Sequence, residues 1–358
     1  MKYNFKRTYS HQAGFTLIEI MIGLVIGMIV ALVITQVLSM FEGQKRATTG
    51  TADAQTNGSI ALYNIGRELK LAGYPLMPSG AAGVADSPLE CTTVTYGATG
   101  ITSISPISIT NGVAVAGVSP ASDTITITYG NSQSGGVAST IGAIVGTAVT
   151  VGSNFGCVVG DVVLVQNGAT CALTTATAVT GTTAPMSVTL NNTTSAVVGG
   201  NLSCLGVWNT VVYAVSANGN LTRNGQDVVA GVVNLQAQYG ISAAASSNVI
   251  TQWVDPSGAT WAAPTVANRN RIKAVRIAVI ARNTKIEPNA VTTACSSITA
   301  ANPTGLCAWD ATTANPSVAS PAPTVDLSPG NATWDRYHYR VFETIIPLRN
   351  MVWSKDTL

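Results

Sequence analysis

The chain has 358 residues, of which 46% are hydrophobic and only 9% are charged, and its formal net charge is +2. This length can bury a sizeable core. The weak charge excludes a broadly basic protein that binds nucleic acid through its general electrostatics.

The N-terminal part of the chain combines a basic leader with a long apolar run. Three basic residues and no acidic residue precede the run, and Glu19 is the only charged residue between positions 15 and 41. A helix needs about 20 apolar residues to cross a bilayer, so residues 15–41 are predicted to span a membrane. The positive-inside rule keeps residues 1–14 in the cytoplasm and places the rest of the chain outside it.

The length of this run argues against a removable secretory signal, which has a shorter apolar core and a small-residue cleavage site. Glu19 is costly inside a membrane helix, and such carboxylates usually have a specific partner. Two simpler readings of Glu19 stay open. In the first, the charge of Glu19 is neutralised within its own chain. In the second, Glu19 acts only at the helix N-terminus, where the helix dipole favours an anion.

The segment from Gly14 to Glu19 resembles the class III signal of type IV pilins and type II secretion pseudopilins, because it joins a basic leader, a glycine, a carboxylate at fixed spacing and a long apolar helix. The resemblance implies that a prepilin peptidase cuts after Gly14 and methylates the new amino terminus at Phe15. Glu19 would then neutralise the Phe15 ammonium group of a neighbouring subunit, since paired buried charges are tolerated where isolated ones are not. Gly23 and Gly27 form a weak Gly-x-x-x-Gly helix-packing motif.

Residues 42–74 are predicted to continue this helix as an amphipathic segment that packs on a sheet. The apolar residues that recur near the three-four spacing of one helix face are Ile60, Leu62, Ile65, Leu69 and Ala72. Gly73-Tyr74-Pro75 supplies the stop, since proline cannot extend a helix.

The remaining chain is predicted to be β-rich, with no second apolar span. Candidate strands are residues 123–129, 161–166, 210–216, 228–241, 271–281 and 338–346. Asn218-Gly219 and Asn224-Gly225 indicate turns. The imperfect alternation of residues 271–281 indicates a strand that is partly covered on both faces, and the proline-rich residues 311–332 are predicted to form a loop.

A soft boundary near Ser203 separates two parts of this β-rich region. Residues 75–203 are a variable stretch of low charge that is rich in Thr, Gly and Ala, and residues 204–358 have denser strand signals. Composition leaves open whether the first part is a separate domain or an insertion in a single sheet domain. The resemblance implies a pilin-like α+β fold, in which the long helix packs on an antiparallel sheet that carries a β-rich elaboration.

Several segments of the second half resemble PilW-type minor pilins, and J-type pseudopilins share a looser version of the same order. The segments are Val207-Trp208 and residues 221–225, 231–240, 272–277 and 339–344. The resemblance implies a minor pilin that helps to prime type IV pilus assembly and sits at or near the tip. Its implied partners are the prepilin peptidase, the inner-membrane assembly platform, other minor pilins and the major pilin. It would cross the inner membrane once, with a periplasmic C-terminal domain, before joining the extracellular pilus of a Gram-negative bacterium.

Two other functions stay open. A pseudopilin of a type II secretion system would differ in its neighbouring genes and in the phenotype of a deletion. A tip adhesin would bind a surface or a glycan through the Thr/Gly-rich stretch from Cys91 to Gly200, and deletion of that stretch would test it.

All the cysteines lie in the part of the chain that is predicted to be outside the cytoplasm. They are Cys91, Cys157, Cys171, Cys204, Cys295 and Cys307. An even count in an oxidising compartment predicts disulfides. Because short loops close most easily, the favoured pairs are Cys157 with Cys171 and Cys295 with Cys307.

Few residues are available for catalysis or for binding a metal. No Cys-x-x-Cys motif occurs, and removal of the leader with His11 would leave His338 as the only histidine. A zinc site is therefore not expected, and a Ser-His-Asp arrangement would depend on His338, which lies in a strand pattern. The chain has no phosphate-binding glycine loop followed by lysine. We expect no enzyme activity, no cofactor and no metal.

One local basic cluster could contact a partner or DNA. Its members are Arg269, Arg271, Lys273, Arg276 and Arg282. The simpler explanation is a solvated strand face or charges that protect a sheet edge, and we expect no nucleic-acid partner.

Overall fold

A computed structural model of the protein describes residues 14–76, 87–97, 99–112, 121–193, 195–293, 305–307 and 324–354. The chain divides into two compact units, Met1–Thr49 and Gly50–Leu358. The described part of the first unit is helical from residue 17 onward, and the second unit holds all the described strands.

The first regular element is helix α1 at Leu17–Leu69. It ends earlier than the predicted residue 74, because residues 70–75 form turns and Gly73 has a φ of +74°, a left-handed conformation that glycine adopts at little cost. The apolar and small residues buried on the helix are Ala54, Gly58, Ala61, Ile65, Gly66 and Leu69. The predicted stripe was wrong at Ile60, which is 44% exposed.

The described part of the second unit contains eighteen strands. They are β1 (Thr93–Thr95), β2 (Ile107–Thr110), β3 (Thr124–Tyr129), β4 (Ser139–Val145), β5 (Ala148–Val151), β6 (Val162–Asn167), β7 (Thr170–Thr180), β8 (Met186–Leu190), β9 (Asn201–Gly206), β10 (Asn209–Val215), β11 (Asn220–Arg223), β12 (Gln226–Ala230), β13 (Val232–Ser242), β14 (Ile250–Val254), β15 (Ile272–Arg282), β16 (Gly305–Cys307), β17 (Thr324–Asp326) and β18 (Tyr339–Pro347). The short helices are α2 (Gly258–Trp261), α3 (Val266–Arg269) and α4 (Arg349–Trp353), with 3-10 turns at Pro88–Glu90 and Trp334–Arg336.

Six strands close into an antiparallel barrel in the order β4-β5-β8-β7-β6-β9, and the pairing of β9 with β4 completes the ring. Strand β1 adds to β7 in parallel, outside the ring. The buried residues of the interior are Ile141, Val149, Val151, Val163, Val165, Ala176, Val188, Leu190, Leu202 and Cys204. A closed barrel has no free strand edge to protect with charges, and Asp161 is the only charged residue between positions 124 and 222.

A second, five-stranded sheet has the order β12-β11-β10-β3-β2. The two predicted turns are confirmed, since Asn218-Gly219 joins β10 to β11 and Asn224-Gly225 joins β11 to β12. This sheet takes β2 and β3 from before Ser203 and its other strands from after it, while Ser203 itself lies inside β9. The composition changes near Ser203 because the uncharged barrel ends at Gly206, and the five-stranded sheet continues across this change.

The third sheet has four strands in the order β14-β13-β15-β18. Ten of the eleven residues of β15 are buried, which confirms a strand covered on both faces. The predicted strand at residues 228–241 is instead two strands, β12 and β13. The chain turns between them at Gly231, where φ is +72° and a Cβ would lie 2.8 Å from the carbonyl oxygen of Arg282. Within the predicted loop at residues 311–332, Thr324–Asp326 forms strand β17, because it pairs with β16.

The C-terminal end of α1 packs against the four- and five-stranded sheets. This packing of a long helix on antiparallel sheets confirms the predicted α+β fold. Ile65 and Leu69 share one hydrophobic core with Tyr239 of β13 and Ile277 of β15. Val162 and Leu164 on the outer side of the barrel wall join the same core.

An ion pair adds a polar link between α1 and the five-stranded sheet. Arg223 on β11 donates to Glu68 Oε1 from Nη2 at 2.8 Å and from Nε at 3.0 Å. The Glu68 side chain is 3% exposed and the Arg223 side chain is 39% exposed. The carboxylate is therefore the buried partner, and Arg223 reaches it from the surface.

Candidate functional site

The candidate assembly site lies where helix α1 begins. Gly14, Phe15 and Thr16 precede the helix, which starts at Leu17. The backbone N–H and the hydroxyl of Thr16 both donate to Glu19 Oε2 at 2.9 Å, and the N–H of Glu19 donates to Thr16 Oγ1 at 3.4 Å. This reciprocal arrangement is a capping box, which satisfies N–H groups that the first helical turn leaves without partners.

The capping role of Thr16 was missed from the sequence, although the spacing Thr16-x-x-Glu19 before an apolar run is the signature of a capping box. The structure places Glu19 at the helix N-terminus, in agreement with one of its two simpler readings. Among the described residues, only one oxygen of the Glu19 carboxylate accepts hydrogen bonds, since both bonds from Thr16 go to Oε2.

The apolar part of α1 is exposed within its own unit. Phe15 is 85% exposed and Leu24 is 69% exposed, and the most apolar window of the helix has a mean hydropathy of 2.9 with none of it buried. The helix is long and apolar enough to cross a membrane. Exposing so many large apolar side chains to water is unfavourable at roughly 25 cal/mol per Å², so this surface needs a bilayer or other helices around it.

Gly23 and Gly27 lie one helical turn apart on α1. A Cβ at either position would meet nothing within 4 Å, so neither glycine is needed for packing within the chain. Both leave the helix surface low and open to a close neighbour. Helix packing through this pair stays a prediction, as do cleavage after Gly14 and methylation of Phe15.

The described residues form two disulfides, and these contradict one of the two predicted cysteine pairs. Cys91 bonds to Cys171 and Cys157 bonds to Cys204, so the predicted pair of Cys157 with Cys171 is wrong. The two faces of the barrel wall explain why. Cys171 belongs to the main core outside the barrel, whereas Cys157 packs on the barrel interior that contains Cys204. The predicted pair of Cys295 with Cys307 lies outside the described residues, because Cys295 is not among them and only the backbone of Cys307 is described.

Two of the five members of the basic cluster are buried and the other three are partly buried, so the expectation of a solvated face or a protected edge was wrong. Lys273 is 1% exposed and Arg276 is 4% exposed, and both lie on β15, an interior strand of its sheet. Lys273 Nζ donates to the carbonyl oxygen of Ala245 at 2.6 Å. Arg276 Nε donates to Gln238 Oε1 at 2.6 Å, and its guanidinium lies 5.1 Å from the ring centroid of Trp253.

Burial changes the acidity of these groups. Desolvation lowers the pKa of Lys273 to about 8 and that of Arg276 to about 10, because a low-dielectric environment disfavours the charged form. Both side chains use their N–H donors on protein acceptors. These two side chains are therefore not part of a solvent-exposed basic surface.

His338 is the one histidine among the described residues, and it lies beside a carboxylate. His338 precedes β18, and its Nε2 lies 3.6 Å from Glu287 Oε1. Within the described ranges, no group of three His, Cys, Asp or Glu side chains is arranged to hold a metal ion.

Comparison with known families finds matches at both ends of the chain. Residues 201–350 match the family model described as type IV pilus-assembly protein W. Residues 9–35 match the model described as the prokaryotic N-terminal methylation motif, and this range contains the capping box of Thr16 and Glu19. Strands β4 to β8 lie outside both matches. No curated protein and no solved structure matches the chain.

Proposed function

We propose that the chain is a PilW-type minor pilin of a type IV pilus, a subunit that helps to prime filament assembly at or near the tip. The observation that carries this proposal is the presence of a prepilin methylation motif and a pilus-assembly domain in one chain. Both matched families are structural components of pili, and we infer that this chain is not an enzyme.

Association through the helices would build a filament. A head-to-tail contact that does not close on itself generates a helical polymer, and the exposed apolar length of α1 supplies a surface for such contacts. Glu19 supports a specific register, because its Oε1 atom accepts no hydrogen bond within the described part of the chain while Oε2 caps the helix. Oε1 can therefore pair with the Phe15 ammonium group of the adjacent subunit.

The apolar helix and the prepilin motif support anchoring of this chain in a membrane, and the motif implies processing by the prepilin peptidase and association with pilus components. We propose that the β-rich unit lies in the periplasm of a Gram-negative cell before assembly. The assembly platform, the other minor pilins and the major pilin are the proposed partners.

Two substitutions of Glu19 separate its charge from its capping role. Gln retains a capping oxygen but cannot neutralise an ammonium group, whereas Ala removes both functions. We expect Glu19→Gln and Glu19→Ala each to lower incorporation into sheared filaments by about tenfold or more, since an unpaired buried charge is strongly destabilising. Cleavage after Gly14 should continue, and it is scored by the mass of the membrane-bound protein.

Incorporation of Glu19→Gln at the wild-type level, with Glu19→Ala defective, would assign Glu19 to capping alone. Normal incorporation of both variants would remove Glu19 from assembly altogether. Thr16→Ala is the matched control, because it loses the capping hydroxyl and keeps the carboxylate. We expect it to cost only about 1 kcal/mol of helix stability.

A further inference from the structure

A cavity of about 540 Å³ opens beside the four-stranded sheet, where β15 ends and β18 begins. Its walls also include the turn between β10 and β11 and the segment that follows β17. This volume lies within the range of small-molecule sites, about 300–1,000 Å³. The polar side chains that line it are Ser122, Ser216, Arg282, Asn331, Tyr337 and Tyr339.

Among the described residues that line the cavity, Arg282 is the only charged one. Its guanidinium carbon lies 4.4 Å from the ring centroid of Tyr337, a distance typical of cation–π contact, and it hydrogen-bonds the hydroxyl of Tyr339. Burial raises the pKa of Tyr339, so this phenol stays neutral and its own O–H remains a donor. Two aromatic side chains thus hold the guanidinium at the cavity wall.

Arg282 differs from the other members of the basic cluster in how it uses its donors. Arg271 Nε donates to the carbonyl oxygen of Ser242 at 2.9 Å, Arg269 donates to that of Leu89 at 2.7 Å, and Lys273 and Arg276 are bonded as described above. No ion pair links Arg282 to a carboxylate within the described residues. Beyond its hydrogen bond to Tyr339, its remaining N–H groups are therefore available to an anion that enters the cavity.

We propose that this cavity binds a carboxylate-bearing sugar of the uronic-acid type. The planar guanidinium matches a carboxylate in bidentate geometry. The hydroxyls of Ser122 and Ser216 and the amide of Asn331 offer partners to ring hydroxyls, while Val215, Leu327 and Pro329 cover the C–H face of the sugar. An acidic peptide shares the carboxylate but has no ring of hydroxyls to pair with these side chains, and an acetylated glutamate probe distinguishes the two.

The test uses the full-length chain purified in non-ionic detergent micelles. Binding is measured by saturation-transfer NMR with four probes: glucuronate, glucose, acetate and N-acetylglutamate amide. We expect glucuronate to bind with a dissociation constant of about 1 mM and each other probe to bind at least about tenfold more weakly, the equivalent of one charge-assisted hydrogen bond. Arg282→Gln should lose glucuronate binding by about tenfold or more.

Arg340→Gln is the matched control, because Arg340 is an exposed arginine on neighbouring β18 that does not line the cavity, and it should bind like wild type. Asn331→Ala provides a second variant that keeps the Arg282–Tyr337 contact intact, and it should weaken glucuronate more than acetate. Equal binding of acetate and glucuronate, tighter binding of the acetylated glutamate, or full binding by Arg282→Gln would each overturn the proposal.

Discussion

The six-stranded barrel and the four-stranded sheet differ in how many charged residues their strands carry and in how their edges and faces are covered. Both are β-structures of one chain, yet the barrel strands contain no charged residue, whereas β15 alone carries Lys273, Arg276 and Arg282. The barrel closes every edge within its ring and is cross-linked by Cys157–Cys204. The sheet is covered by α1 and satisfies its buried cations with specific acceptors.

This difference shows where each region is vulnerable. A closed barrel with an apolar interior depends on side-chain packing and on its cross-link, so changes in pH have little to act on. We call the four- and five-stranded sheets, together with the C-terminal end of α1 that packs on them, the helix-backed region. This region contains buried ionisable groups whose free energies depend on their partners and on protonation. We therefore expect the barrel to respond most to redox changes, and the helix-backed region to respond to pH and to single charge deletions.

The largest effect is expected from removing the barrel disulfide with Cys157→Ala and Cys204→Ala together. The bonded residues are 47 positions apart, and chain-entropy arguments give a loss of about 4 kcal/mol in the free energy of unfolding. Native-state hydrogen exchange should show the loss in amides of β5, β6 and β9 and much less in β13 and β15. Equal loss in both sets of amides would contradict independent stabilisation of the barrel.

Removing the positive charge that pairs with Glu68 should destabilise the helix-backed region and leave the stability of the barrel unchanged. Arg223→Met leaves a buried carboxylate without its partner, and Glu68 Oε2 already lacks a hydrogen bond. We expect a loss of about 3 kcal/mol, measured by urea unfolding with protection of the barrel amides unchanged.

Arg67→Met is the control for this change. Arg67 lies 3.9 Å from the same carboxylate oxygen, but its side chain is 62% exposed. The substitution should therefore lower the free energy of unfolding by less than about 1 kcal/mol. A similar cost for both variants would mean that burial of Glu68 does not set the energy of the pair.

A smaller effect is expected from pH, through Asp123 at the junction of the two helix-backed sheets. Asp123 is 2% exposed, and its Oδ2 accepts from the N–H of Ala237 on β13 at 2.7 Å. Desolvation by burial raises the pKa of Asp123 from 3.8 to about 6. The native state then binds more protons than the unfolded state between these values, so stability from this group is full below pH 3.8 and is lost as pH rises through 6.

This linkage contributes on the order of 2–3 kcal/mol. Asp123→Asn should flatten the dependence between pH 4 and pH 6 for the helix-backed region, while the barrel amides show no such dependence in either protein. A wild-type stability that rises across this interval, and does so equally in Asp123→Asn, would assign the pH response to other groups.

Strong periodicity made parts of the fold predictable. The apolar run of α1, the Thr/Ile alternation of β3 and the imperfect alternation of β15 each identified an element within a few residues. The two Asn-Gly turns were equally clear, because those residues accept the backbone conformation of a tight turn at little cost.

The barrel and the disulfides could not be predicted in this way. The predicted strand at residues 161–166 matches β6. The rest of residues 139–206 is rich in Thr, Gly and Ala, so the alternation that separates an inner from an outer face is weak. The cysteine pairing depends on which face of the barrel wall each sulfur occupies, and that is set by strand register rather than by distance along the chain. The capping role of Thr16 was visible in its spacing, whereas the cavity at Arg282 unites distant segments that no local pattern connects.

The central claim, that this chain is a minor pilin that primes assembly, is tested most directly by quantitative mass spectrometry of sheared surface filaments from wild-type and deletion strains. The account predicts trace amounts of a peptide that begins at N-methylated Phe15 in wild-type filaments, and loss of surface major pilin on deletion. Normal filaments in the deletion strain, together with secreted proteins retained in the periplasm, would contradict the claim and identify a secretion pseudopilin.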